Sequence, residues 1–262
     1  MSEIYQHFHP DERIFIDRCE DWIAQVSNHY SIVTTYFLNP REVDILHSLI
    51  SKFDVKLLSS SDLTTMEYAK IIIAPDYYQL DERDFELVLL EMRYPSKFVQ
   101  LRHSQVLGAI LGETGLKRQE IGGILVADGR IQIFVSTRAA QVIKNSIDKI
   151  GRTAVKFDEI NFSQKISAED KSETKFVLVS SIRADKIIAE AFDISRNIAS
   201  NLMETGKVKI NYREIDKKDF VLNPQDLLSV RGFGRIKIAN LLGESKKGKL
   251  KLELDVIKNR KK

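Results

Sequence analysis

Apolar residues recur at helical spacing in two places near the start of the chain. Ile16, Cys19, Ile23 and Val26 form one stripe within residues 11–30, which predicts an amphipathic helix with acidic residues in its first turn. A second stripe, Val43, Leu46, Leu49 and Ile50, follows Pro40, a residue suited to a first helical turn. Between and after them, residues 34–38, 55–58 and 70–73 read as strands. The pattern predicts a small α/β domain with no catalytic signature.

Further along, the periodicity switches between strand and helix in a recognisable order. Residues 97–102 read as a strand, 104–111 as a helix, and 122–127 and 130–135 as two strands joined by Asp128-Gly129, a strong type I′ hairpin signal. A helix over 137–150, with Val142, Ile143, Ile147 and Ile150 inward, leads to a strand at 153–157. This β-α-β-β-α-β order is the ferredoxin-like arrangement, which RNA-recognition domains also use. The aromatic spacing by which those domains stack bases is missing, so Phe134 reads as core. Residues 163–175, SQKISAEDKSETK, show no hydrophobic periodicity and read as a linker.

The last third begins with a strand at 177–179. Residues 183–192 predict a short helix; Ser195 is suited to cap a second helix, which Gly206 ends, and a strand follows at 207–211. IKIANLL (236–242) and KLKLELDVI (249–257) alternate apolar with polar around a basic tip, which predicts a hairpin. Residues 243–249 imitate a phosphate-binding P-loop, but Leu250 replaces the metal-binding Ser/Thr and no helix follows. On this layout Arg183, Lys186, Arg196, Lys207 and Lys209 are expected to converge on one surface. Ser195 and the first turn of its helix present N–H groups beside them, a setting suited to phosphate.

Charge is distributed unevenly. The net of +3 divides into −10 over residues 1–92, +7 over 93–156, −2 over 157–182 and +8 over 183–262. An acidic head followed by two basic modules suggests that the latter two face a polyanion while the head is held away from it or meets a protein partner. In the middle module Arg102, Lys117, Arg118, Arg138 and Arg152 are candidates for a second RNA surface. One cysteine excludes an internal disulfide framework, and its place on the first apolar stripe makes Cys19 a buried structural thiol. His7, His9 and Asp11 fit a polar terminus better than a metal site, and no metal or cofactor is expected. No leader and no apolar run of about 20 residues is present, so no membrane span and a cytoplasmic monomer are expected.

The final third resembles the S-four domain, the small RNA-binding module named after the fourth protein of the small ribosomal subunit. The matching motifs are Arg183-Ala184-Asp185, Ser195-Arg196, Gly206-Lys207-Val208, Asn211-Tyr212 and Gln225-Asp226. Ala184, Tyr212 and Gln225 depart from the family pattern, which has Leu, Gly and Gly there. With the acidic head, the central run LRHSQVLGAILGETGLKRQEIGGILVADG (101–129) and Ile150-Gly151-Arg152, essentially the whole chain resembles the YlmH family of Gram-positive bacteria. The expected fold class is therefore α+β in three modules: an acidic α/β domain (1–80), a basic ferredoxin-like or RRM-like domain (81–162), the linker, and an S-four domain (176–262).

The resemblance implies a non-catalytic RNA-binding protein whose gene lies near cell-division genes. It also implies association with large ribosomal subunits carrying peptidyl-tRNA, in quality control of stalled translation. Structured rRNA or tRNA would then be held by Arg183, Lys186, Ser195, Arg196, Lys207, Lys209, Asn211, Arg231, Arg235 and Lys237, with Arg183 and Arg196 matching the two motif arginines. Two rivals stand beside this reading. One is an RNA-modifying enzyme carrying the same module, although no second Asp-bearing catalytic motif, synthetase signature or Gly-x-Gly-x-x-Gly loop is found. The other is a protein adaptor linked to cell division through the acidic head.

Overall fold

The first apolar stripe folds as α1 (Arg13–His29) and buries Ile16, Cys19, Ile23 and Val26. A computed structural model describes residues 8–51, 53–127, 129–167 and 172–259. The short β1 (Val33–Thr34) precedes α2 (Pro40–Ile50), whose N-terminus is closed by a reciprocal pair: Asn39 Oδ1 accepts from Glu42 N–H, and the Glu42 carboxylate accepts from Asn39 N–H. Strands β2 (Val55–Ser59) and β3 (Ile71–Pro75) complete an antiparallel sheet of order β1-β3-β2. The strand expected at 34–38 is shorter because the chain leaves the sheet: Phe37 N–H donates to Gln119 O, and only Leu38 returns, to bridge Ala69.

The ferredoxin-like order is present with its first strand elsewhere. It comprises β4 (Leu87–Arg93), α3 (His103–Thr114), β5 (Ile121–Ala127), β6 (Arg130–Ser136), α4 (Thr137–Ser146), the small hairpin β7 (Lys149–Ile150) and β8 (Thr153–Ala154), and β9 (Lys156–Ile160). The sheet order is β5-β6-β4-β9, antiparallel throughout. Residues 97–102 are a loop, not a strand. Their alternation is real, since Val99 and Leu101 point into the core while Phe98 and Gln100 are exposed, but Phe98 and Val99 N–H turn back to Pro95 O and no strand pairs with them. Helix α4 stops at Ser146; Ile147 and Ile150, expected on its inner face, are buried from the turn and hairpin beyond it. The strand expected at 153–157 is split, with Val155 N–H donating to Asp148 O at the break.

Both faces of this sheet are covered. Ile131, Ile133 and Val135 of β6 meet α3 and α4, while Leu89 and Phe134 on the other face cluster with Phe37, Met66, Tyr68 and Phe162. Phe37 lies so close that a Cβ built on Gly122 would stand 2.4 Å from its ring, which explains why that position has none. Residues 161–167 cross the same face: the buried Gln132 donates to Gln164 O and accepts from Ile166 N–H. Residues 1–169 form one compact unit, so the head and the ferredoxin-like fold are joined within it.

Residues 170–262 form the second unit. Its strands are β10 (Glu173–Val179), β11 (Val208–Ile210), β12 (Arg213–Glu214), β13 (Leu227–Val230), β14 (Gly234–Glu244) and β15 (Leu250–Lys258), in the order β10-β15-β14-β13-β11-β12. Strand β10 begins at Glu173, inside the stretch read as linker, because its register with β15 extends through the polar residues Thr174 and Lys175. Helices α5 (Ala184–Phe192) and α6 (Arg196–Glu204) cover one face, packing Ile187, Ile188, Ala199 and Met203 against Val208, Leu228, Ile236 and Leu254.

Candidate nucleic-acid interface

Helices α5 and α6 are joined by a left-handed residue, Asp193 (φ 55°), and Ser195 Oγ caps α6 by accepting Ile198 N–H. This turn brings the two motif arginines to one carboxylate. Arg183 donates through Nε and Nη2 to Asp185 at 3.1 Å each, and Arg196 Nη2 donates to Asp185 Oδ2 at 2.7 Å. Asp185 is 1% exposed, and the arginine side chains are 31% and 54% exposed. Burial pushes the Asp185 carboxyl up, but the hydrogen bonds from Arg196 and Arg183 outweigh it and hold the group below the ordinary carboxylate range. A guanidinium has five N–H donors in a rigid fork, so each arginine keeps donors after binding Asp185, on side chains that remain partly exposed. Sequence reasoning carried Asp185 as a motif letter and missed its role as the clip.

The remaining candidates divide between places. Lys186 Nζ donates to Ser180 Oγ and Ser181 Oγ at 2.6 and 3.0 Å, tying the start of α5 to the preceding loop. Asn211 is a turn residue: its side chain donates to Asp226 Oδ1 and accepts from Leu227 N–H. Lys207 and Arg231 are exposed neighbours, with Arg231 N–H donating to Lys207 O. Lys209 does not join the arginines. Because Val208 and Ile210 face the helices, the pleat sends Lys209 to the opposite face, in register with Ser229 and Arg235 across β13 and β14. Lys237 shares that face, opposite Asp255. Of the five cations expected on one surface, Arg183 and Arg196 therefore form a clip on the helix side, while Lys209 lies on the opposite sheet face with Arg235 and Lys237.

The positions expected to form a second surface are split as well. Strand directions place Arg102 and Arg152 at the end of the ferredoxin-like sheet where β4 finishes, and Lys117, Arg118 and Arg138 at the other end. Arg118 is structural: its guanidinium lies 4.5 Å from the Tyr68 ring centroid and its Nη1 donates to Ile121 O. The sheet face an RNA-recognition domain would use is occupied by Phe37, Phe162 and residues 161–167, and on it Arg130 pairs with Glu91 and Arg93 with Asp158.

Among the described residues, no group of three or more His, Cys, Asp or Glu is placed to hold a metal, and no helix is long and apolar enough to cross a membrane. His7 and Asp128 lie outside the described residues.

A family model described as "YlmH, N-terminal" matches residues 11–78, and one described as "Putative RNA-binding domain in YlmH" matches 81–164. The chain is 36% identical, over 97% of its length and 99% of the relative's, to the "Ribosome-associated protein quality control protein P2" of Bacillus subtilis (strain 168). The chain belongs to the YlmH family. A solved YlmH structure, titled "Cell division protein ylmH from Streptococcus pneumoniae", is 34% identical and aligns with a TM-score of 0.56 over 62% of this chain and 99% of that one. The family description that mentions RNA binding covers residues 81–164, the ferredoxin-like module, and not the C-terminal unit that carries the arginine clip.

Proposed function

We propose that this protein is a non-catalytic RNA-binding factor that associates with the ribosome and holds the RNA backbone through its C-terminal unit. The observation that carries this reading is the Arg183–Asp185–Arg196 clip, which fixes two partly exposed guanidinium groups at the start of two helices. Membership in a family with an RNA-binding module, and a relative named for ribosome-associated quality control, favour rRNA or tRNA as the polyanion. In finer form, the partner is the large subunit with peptidyl-tRNA after translation has stalled, and the protein acts in the cytoplasm as a monomer. Arginine suits a backbone contact because its planar fork engages phosphate oxygens without reading bases.

Salt titration of binding to ribosomal RNA tests this reading. With about six phosphates neutralised, the log–log slope should be roughly −4 to −5. A flat salt profile would contradict it.

A further inference from the structure

The loop between β4 and α3 carries an unusual residue. Its path is fixed: Tyr94, Val99 and Leu101 pack into the ferredoxin-like core, and Phe98 and Val99 N–H close a turn onto Pro95 O. A Cβ on Gly129 would meet Ser96 at 3.3 Å, so the loop also rests against the turn between β5 and β6. Yet Phe98, within this anchored loop, is 88% exposed. Burying a Phe is worth about 1.5–3 kcal/mol, and this loop forgoes that gain while burying its smaller neighbours.

The surroundings are cationic. Lys97 precedes Phe98 and Arg102 caps α3. The β7–β8 hairpin brings Lys149 and Arg152 to the same end of the sheet, and Lys156 begins β9 opposite Arg93, the last residue of β4. All five are exposed, and among the described residues none forms an ion pair within 4 Å. An exposed aromatic ring at the same end of the sheet as these cations matches the two needs of a single-stranded nucleic acid, a flat apolar surface for a base and positive charge for its phosphates.

We propose that this loop is a second RNA contact, in which the Phe98 ring stacks on an unpaired base and Lys97, Arg102, Lys149, Arg152 and Lys156 hold the flanking phosphates. The site lies at the end of the sheet and not on its face, which the chain itself covers. The inference rests on the RNA-binding reading above and adds to it a preference for unpaired segments.

The test uses the full-length protein with a 12-nucleotide mixed-sequence RNA, single-stranded or in a perfect duplex. Phe98→Ala should weaken single-strand binding about tenfold and leave duplex binding, thermal stability and the salt slope unchanged. Phe98→Trp should retain binding, and its added emission should be quenched by the single strand. The triple variant K97Q/R102Q/R152Q should lower the single-strand salt slope by about 2. The proposal is overturned if Phe98→Ala binds the strand like the wild type, if the Phe98→Trp emission does not respond, or if the variant loses a protein partner with RNA affinity intact. A wild-type protein that binds no RNA overturns the parent reading too, whereas RNA binding insensitive to Phe98 overturns this proposal alone.

Discussion

Arg196 on α6 reaches back to Asp185 on α5, Nη2 to Oδ2 at 2.7 Å, and so couples the second helix to the carboxylate that also holds Arg183. Asp185→Asn keeps the volume but removes the charge that both forks grip. It should cost about 1–3 kcal/mol of stability and weaken RNA binding. Simple Coulomb reasoning gives the opposite sign for affinity, since a negative charge next to an anion site has been removed. Chemical denaturation and a binding titration on the same sample separate the two accounts.

The same carboxylate sets a pH dependence. Its folded pKa lies below the unfolded value, so its contribution is fully present above the unfolded pKa of about 4 and is lost as pH falls through the folded value. The stability gap between wild type and Asp185→Asn should be constant at neutral pH and shrink below about pH 4. A gap that does not begin to narrow as pH falls below about 4 would argue against the clip.

Tyr212 (φ 67°) and Gln225 (φ 74°) hold left-handed backbone at the two positions where the S-four pattern has glycine. The turns form despite the substitutions because Asn211 bonds Asp226 and Leu227, and Gln225 N–H and Nε2 donate to Ile238 O and Ala239 O. A non-glycine residue in this region costs about 1–2 kcal/mol. Tyr212→Gly and Gln225→Gly should each raise stability by about 0.5–1 kcal/mol after the loss of side-chain contacts and the looser unfolded chain are counted. Thermal unfolding of the single variants checks both.

Gly122→Ala should destabilise the first unit by about 1–3 kcal/mol, because the new Cβ meets the Phe37 ring, itself buried among Leu89 and Phe134. Phe37→Leu in the same chain should recover part of the loss. Equal stability of Gly122→Ala and wild type would show that the ring moves freely.

Cys19 lies wholly buried in the α1 stripe, and burial pushes its thiol up to about 12. At pH 8 it should be inert to iodoacetamide in the native protein and react on denaturation. Modification of the folded protein would contradict its packing.

Hydrophobic period located most helices and strands here, since α1, α2, α5, α6 and the β5–β6 hairpin each carry a strong local signal. It misplaced the first strand of the middle module because Phe98-Val99-Gln100-Leu101 alternates like a strand while its backbone closes a turn. The true strand, Leu87–Arg93, is buried on both faces along much of its length and so lacks clean alternation. The arginines of the clip were legible as motif positions. Their meeting at Asp185 was not, because it depends on the angle between two helices. The separation of Lys209 from them follows from the pleat of a strand whose buried side only the fold reveals.

The central claim is tested most directly by salt-titrated cosedimentation with separated ribosomal subunits, with and without bound tRNA, comparing wild type with the Arg183→Ala/Arg196→Ala double variant. The account predicts salt-sensitive binding that favours the large subunit and is lost in the double variant. The two proteins are compared at a temperature where circular dichroism shows the variant folded, because Asp185 is left buried in it without its partners. Binding that ignores the two arginines, or shows no preference between ribosomal subunits, would contradict it.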